Sequence, residues 1–108
     1  LDKEMMKGSI DLLLLSELKR CDSYGYEIVK SLKLRSNDLY DMSEGTLYPA
    51  LKRLENKAFV ESYWGETSDG GRRKYYRITE SGKTELSRKL KDWKDINRMI
   101  INVTEGAT

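Results

Sequence analysis

Two short stretches in the second half of the chain most restrict what it can fold into. Phe59–Trp64 is rich in aromatic and β-branched residues, and Arg72–Ile78 returns with an alternating pattern. Both read as strands. Gly65–Gly71 lies between them, with Asp69-Gly70-Gly71 at its tip, a combination suited to a hairpin turn. Nearly everything else reads as helix, so one hairpin must be mounted on a helical body.

Lys3–Lys7 is expected to be an N-terminal arm. Ser9 can cap a helix running to about Arg20. Its apolar residues, Ile10, Leu12, Leu13, Leu14, Leu15 and Leu18, cover most of the circumference, which predicts burial on several sides. Cys21–Ser23 reads as a break, and a second helix follows to about Leu34 with Tyr24, Ile28, Val29 and Leu32 on one face. Residues 35–42 form a polar connection. A third helix begins near Ser43. Leu47, Leu51 and Leu54 recur on its inner face; Gly45, Thr46, Pro49, Lys52, Arg53 and Asn56 lie opposite, with Tyr48 at the flank. Pro49 falls past the first turn and predicts a local irregularity. Thr79 is a good cap for a long final helix. There Leu86, Leu90, Trp93, Asn97 and Ile100 follow a coiled-coil-like spacing with one polar member. Three compact helices, a hairpin and a long helix make the plan of a winged helix-turn-helix: mainly α, with a small β-hairpin as the wing. Residues 1–79 would be the winged-helix part with its arm, and 80–108 the C-terminal dimerisation helix and tail, in one compact unit.

Composition sets limits on function. The 108 residues suggest one domain. There is no histidine and one cysteine. That excludes Ser-His-Asp and Cys-His catalysis, imidazole metal ligands, an internal disulfide and a thiolate cage. Nothing in the spacing nominates a catalytic carboxylate pair, so neither an enzyme nor a cofactor is expected. The apolar run Ile10–Leu15 is broken by Asp11 and is too short to cross a bilayer, so no membrane association is expected. No signal peptide is expected either, and a lone cysteine fits a reducing cytoplasm. Hydrophobic content of 38% is low for a self-sufficient globule, and a second subunit covering apolar surface would help.

Twenty basic and 18 acidic residues give a net charge of only +2. The distribution matters more than the sum. Residues 1–60 carry ten groups of each sign, whereas Arg72, Arg73, Lys74 and Arg77 place four cations within six positions. Guanidinium groups suit phosphate oxygens. Tyr75 and Tyr76 would anchor the hairpin while the cations project. Lys52 and Arg53, with Thr46 and Tyr48, suit a helix lying in a major groove.

The block Glu44-Gly45-Thr46-Leu47-Tyr48-Pro49-Ala50-Leu51-Lys52-Arg53-Leu54-Glu55 closely resembles the PadR family of bacterial transcriptional regulators. The likeness continues through Ser23-Tyr24-Gly25-Tyr26-Glu27-Ile28, Tyr63-Trp64-Gly65 and the run Gly70–Thr79. The short C-terminus is similar to the small-PadR group. The resemblance implies a cytoplasmic, homodimeric repressor of a pseudo-palindromic double-stranded operator. It places Ser43, Thr46, Tyr48, Lys52 and Arg53 in the reading helix and Arg72, Arg73 and Lys74 in the wing. Ala58 departs from the pattern, since many relatives have glycine where this helix ends. Either Asn56 or Lys57 closes the helix differently, or Ala58 tolerates strain.

Lys3-Glu4-Met5, the wing and Trp93 further resemble multidrug-sensing members, in which a tryptophan pair lines a pore at the dimer centre. That likeness implies a planar hydrophobic effector contacting Met5, Leu12, Trp93, Ile96 and Asn97. Asn97 stands where an acidic residue would favour cationic compounds. The alternative is that Trp93 simply fills a dimer interface. A rival for the whole chain is a winged helix used as a protein-interaction module, its basic strand meeting an acidic partner without sequence-specific DNA binding.

Overall fold

The computed structural model describes residues 1–106; Ala107 and Thr108, the last two residues of the expected C-terminal tail, lie outside the described residues. The elements run α1 (Lys3–Lys7), α2 (Ile10–Arg20), β1 (Ser23–Tyr24), α3 (Gly25–Arg35), α4 (Glu44–Asn56), β2 (Val60–Glu66), β3 (Arg72–Ile78) and α5 (Glu80–Thr104). The expected arm is therefore a short helix, capped by the Asp2 carboxylate on the Glu4 and Met5 N–H groups. Ser9 stands at the N-cap of α2 but at φ −106° and ψ −10°, and its side chain makes no capping bond. Asp11, in the first turn, complements the helix dipole instead.

α2 is the central helix. Its Leu14, Leu15 and Leu18 are buried with Ile28 and Leu32 of α3, Leu47, Leu51 and Leu54 of α4, and Val60, Tyr76 and Ile78 of the sheet. Glu17 is the buried charge of α2, and Arg35 satisfies it at 2.6 Å. The sheet has three strands in the order β1-β3-β2, all antiparallel. β1 pairs Ser23 with Tyr76 and Tyr24 with Tyr75, so the wing is rooted on the turn between α2 and α3. This corrects the expectation of a plain break with Tyr24 on a helix face. Tyr24 is extended and ends as the cap of α3.

α4 continues through Pro49 from Glu44 to Asn56, where an irregularity was expected. A proline there removes one backbone donor, the one that would reach the Gly45 carbonyl. Gly45 and Pro49 are both exposed, so water can serve that oxygen. At the other end Ala58 sits at φ 62°. Its N–H reaches the Glu55 carbonyl at 2.9 Å, and Phe59 N–H reaches that of Leu54 at 3.0 Å. This is the paired bonding that normally places glycine in the left-handed position. Alanine therefore tolerates the strain.

The same junction starts α5. The Thr79 and Ser81 hydroxyls donate to the Ala58 carbonyl at 2.7 and 2.9 Å, while Thr79 Oγ1 accepts from Gly82 N–H at 3.0 Å. Gly82 is required for close approach: a Cβ there would collide with the Phe59 carbonyl oxygen. α5 buries Gly82 and Leu86 and then leaves the body. Leu90, Trp93, Ile96, Met99, Ile100 and Ile101 are exposed along it. Among the described residues, no helix is long and apolar enough to cross a membrane.

Candidate nucleic-acid interface

The outward face of α4 follows from its inner one. Leu47, Ala50, Leu51 and Leu54 are buried, so Gly45, Pro49, Lys52, Arg53 and Asn56 are exposed. Ser43 and Thr46 form the start of this face. Ser43 Oγ accepts from Thr46 N–H at 3.2 Å and donates to Thr46 Oγ1 at 3.2 Å. The Ser43 hydroxyl thus caps the helix, and its bond to the Thr46 hydroxyl orders the first turn.

The two edges of the face are flanked differently. On one edge the hydroxyl end of Tyr48 comes so close to Gly25 that a Cβ at residue 25 would collide with the phenol. Tyr24, Gly25, Tyr48, Arg73, Lys74 and Tyr76 line one depression, which joins α4 to the root of the wing through the start of α3. On the other edge, Arg53 Nη2 donates to Asp11 Oδ1 at 2.5 Å. Lys7, Asp11, Thr46, Pro49 and Arg53 line the cleft there.

Strand alternation splits the four cations of the wing. The register places Arg72 and Lys74 on the face that carries Glu66, Trp64, Tyr76 and Ile78, and Arg73 and Arg77 on the opposite face with Tyr63 and Tyr75. Arg72 lies 5.4 Å from the Trp64 ring centre, and Arg73 lies 5.9 Å from that of Tyr24. Both remain exposed. Arg77 does not project freely as expected. It bonds Glu61 Oε1 through Nε at 3.0 Å and Nη2 at 2.8 Å, and it covers Tyr63. Three wing cations, Arg72, Arg73 and Lys74, have no carboxylate within ion-pair distance among the described residues, and neither does Lys52.

An aromatic brace, legible only in part beforehand, holds the wing root. Tyr63 and Tyr75 stack at 5.6 Å, and Tyr24 meets Tyr75 edge-on at 5.3 Å. The Tyr63 hydroxyl donates to Asp22 Oδ2 at 2.6 Å. That hydrogen bond, followed by partial desolvation, holds the phenol above its ordinary pKa. Tyr76 is buried, in the structural role expected of it. The tip is also ordered. Asp69 accepts from the Thr67 hydroxyl and from Gly71 N–H, and these bonds, with Arg73 nearby, hold its carboxyl below the usual carboxylate range.

The residues expected at an effector site are not gathered in one chain. Trp93 and Asn97 share a shallow depression with Ile101, and Ile96 is exposed outside its lining. Met5 is exposed on α1, while Leu12 packs half-buried against the core. Cys21 is exposed at the end of α2.

A winged helix-turn-helix with exposed cations on its third core helix and on its wing, Lys52, Arg72, Arg73 and Lys74 among them without a carboxylate partner in the described residues, defines a DNA-binding protein. Comparison with known sequences refines this. The transcriptional regulator PadR-like family matches residues 14–88. An uncharacterised protein of Lysinibacillus sphaericus is 41% identical over 95% of this chain and 94% of its own length. A transcriptional regulator from Clostridium thermocellum has a solved structure with a TM-score of 0.84 and 39% identity, covering 91% of this chain and 95% of that one. The transcriptional regulator YqjI of Escherichia coli is 32% identical over 69% of this chain, which spans only 34% of YqjI. The chain belongs to the PadR-like family of transcriptional regulators; it is a DNA-binding regulator and not an enzyme.

Proposed function

We propose that the protein is a homodimeric repressor of the small-PadR group that reads a pseudo-palindromic operator through α4 and the wing. The observation that carries this is the single depression joining Tyr48 of α4 to Arg73 and Lys74 of β3, which makes helix and wing one continuous surface. In this reading Thr46, Tyr48 and Lys52 meet base edges or nearby backbone from α4, with Ser43 ordering its start. Arg53, Arg72, Arg73 and Lys74 meet phosphates. Residues 1–79 form the DNA-binding part and 80–108 the dimerisation helix and tail; Leu86 packs the two into one unit.

Dimerisation is supported by surface and shape. The chain exposes 7570 Å², against roughly 6,200 Å² for a compact monomer of its mass. Its radius of gyration is 15.5 Å, against about 13 Å for a compact domain of its length. The apolar stripe of α5 is part of that exposed surface, and a second copy would cover it.

Selection of duplexes from a randomised pool tests the reading. The expected product is an inverted repeat bound with affinity that falls steeply with salt. Lys52→Ala should change base preference, whereas Arg73→Ala should weaken all sequences alike. A chain that enriches no sequence at any salt would instead be a protein-interaction module.

The effector reading belongs to the same proposal. Trp93 is 45% exposed on the α5 stripe, so two copies near a dimer axis would leave indole surface for a planar hydrophobic molecule. Met5, Leu12, Ile96 and Asn97 would complete that site from elements brought together by the partner. Trp64 is 64% exposed and would emit as well, so the test uses a Trp64→Phe background. Flat aromatic compounds should quench Trp93 and weaken DNA binding. Unchanged emission and unchanged affinity across such a panel would rule out the effector.

A further inference from the structure

We infer that Asp11 is a positioning residue for Arg53, and that its carboxylate sets how selectively α4 discriminates among DNA sequences. The inference rests on the proposed reading of α4 as the DNA-facing helix. Arg53 and Asp11 are 42 positions apart in sequence, yet Nη2 and Oδ1 lie 2.5 Å apart. The two partners differ in freedom. Asp11 is 16% exposed and stands on the first turn of α2, between the buried residues Ile10 and Leu14. Arg53 is 47% exposed and ends a long flexible stem. The carboxylate is therefore the fixed member and the guanidinium the one being aimed.

A guanidinium has five N–H donors in a planar fork. One is committed to Asp11, and the exposed remainder stays available to a phosphate or a base edge. Two consequences follow from elementary electrostatics. The bond restricts Arg53 to one direction, so less rotamer freedom is lost when that direction matches a properly seated duplex. The same negative charge offsets the charge of the guanidinium it holds, so Arg53 attracts phosphates that approach in other registers less strongly. Both effects lower affinity for arbitrary DNA relative to the preferred sequence. Lys52, the adjacent cation on the exposed face, has no such carboxylate among the described residues and serves as the internal contrast. Asp11 would otherwise be read only as the charge that interrupts the leucine run.

The test compares the wild type, Asp11→Asn, Arg53→Gln and the double variant. The probes are a duplex of about 30 base pairs selected by the wild type from a randomised pool and a scrambled duplex of equal length, long enough for two half-sites a helical turn apart. Asn keeps the shape of Asp and removes its charge. Asp11→Asn should bind the scrambled duplex about three- to tenfold more tightly at low salt and reduce the selected-to-scrambled ratio by a similar factor. The slope of log affinity against log salt on scrambled DNA should steepen by roughly 0.9 for each phosphate newly reached. In the Arg53→Gln background, Asp11→Asn should change neither quantity. Equal weakening of both duplexes by Asp11→Asn, or an effect that persists without Arg53, overturns the inference while leaving the DNA-reading proposal intact. Failure of the wild type to enrich any sequence overturns both. Circular dichroism identical to wild type establishes that each variant is folded; if Asp11→Asn is not, Arg53→Lys replaces it. That variant keeps the charge but loses the fork, and it should lower the ratio. An unchanged ratio would likewise overturn the inference.

Discussion

Ala58→Gly should stabilise the protein, because alanine occupies a backbone position built for glycine. At φ 62° the alanine Cβ crowds the neighbouring carbonyl, a cost of about 1–2 kcal/mol for an L-residue. Glycine removes that cost but gives the unfolded chain more freedom, which offsets about 0.4–1 kcal/mol. The net gain is about 0.5–1 kcal/mol. With an unfolding entropy near 2.1 cal/mol/K per residue, a chain of 108 residues should melt about 2–4 °C higher. The assay is thermal unfolding by far-UV circular dichroism at one fixed protein concentration, since association would couple to the midpoint. Lys57→Gly is the control. Lys57 sits at φ −87°, where glycine relieves nothing, so the midpoint should fall. A midpoint for Ala58→Gly that is unchanged or lower, with helix content intact, would refute the strain argument.

Other consequences concern neighbouring features. Gly82→Ala should lower stability by about 1–3 kcal/mol, because the added methyl meets the Phe59 carbonyl in a packed junction; chemical denaturation measures it. The Gly71 amide resonance should titrate with Asp69 at a midpoint below the ordinary value of 3.8. The sign is that of a depressed acid: the tip's hydrogen bonds contribute fully above the unfolded value and are lost as pH falls through the lower folded one. A midpoint at or above 3.8 would contradict the bonding at the tip. Arg77→Ala should leave the salt dependence of DNA binding unchanged, since Glu61 already holds that guanidinium, whereas Arg73→Ala should make the slope shallower by about 0.9 for each phosphate no longer neutralised.

Much of the fold could be read from local pattern, and the exceptions share one cause. β3 begins at Arg72 and ends at Ile78 as alternation predicts, and the inner and outer faces of α4 follow from its leucine spacing. Thr79 caps α5 as its side chain suggests. Features that depend on residues distant in sequence were not legible. β1 is two residues long, too short to show any alternation, and exists only because β3 offers it a partner. The Asp11–Arg53 pair joins two helices whose periodicities say nothing of each other. Arg77 is intermediate: aligning the strands in register would have set it opposite Glu61. Counting cations along β3 without their cross-strand neighbours made the wing look more basic than it is. The small net charge of +2 fits the corrected picture, in which the cations of α4 and the wing without a carboxylate partner among the described residues are few: Lys52, Arg72, Arg73 and Lys74.

Backbone amide shifts followed by NMR while a duplex of mixed sequence is added test the central claim most directly, because they report which face meets DNA. The largest changes should fall at Gly45–Lys52 and Arg72–Lys74, with the exposed stripe from Trp93 to Ile101 unmoved. Changes concentrated on α5, or on the Lys30 and Lys33 side of α3 with α4 silent, would contradict DNA reading by α4 and the wing.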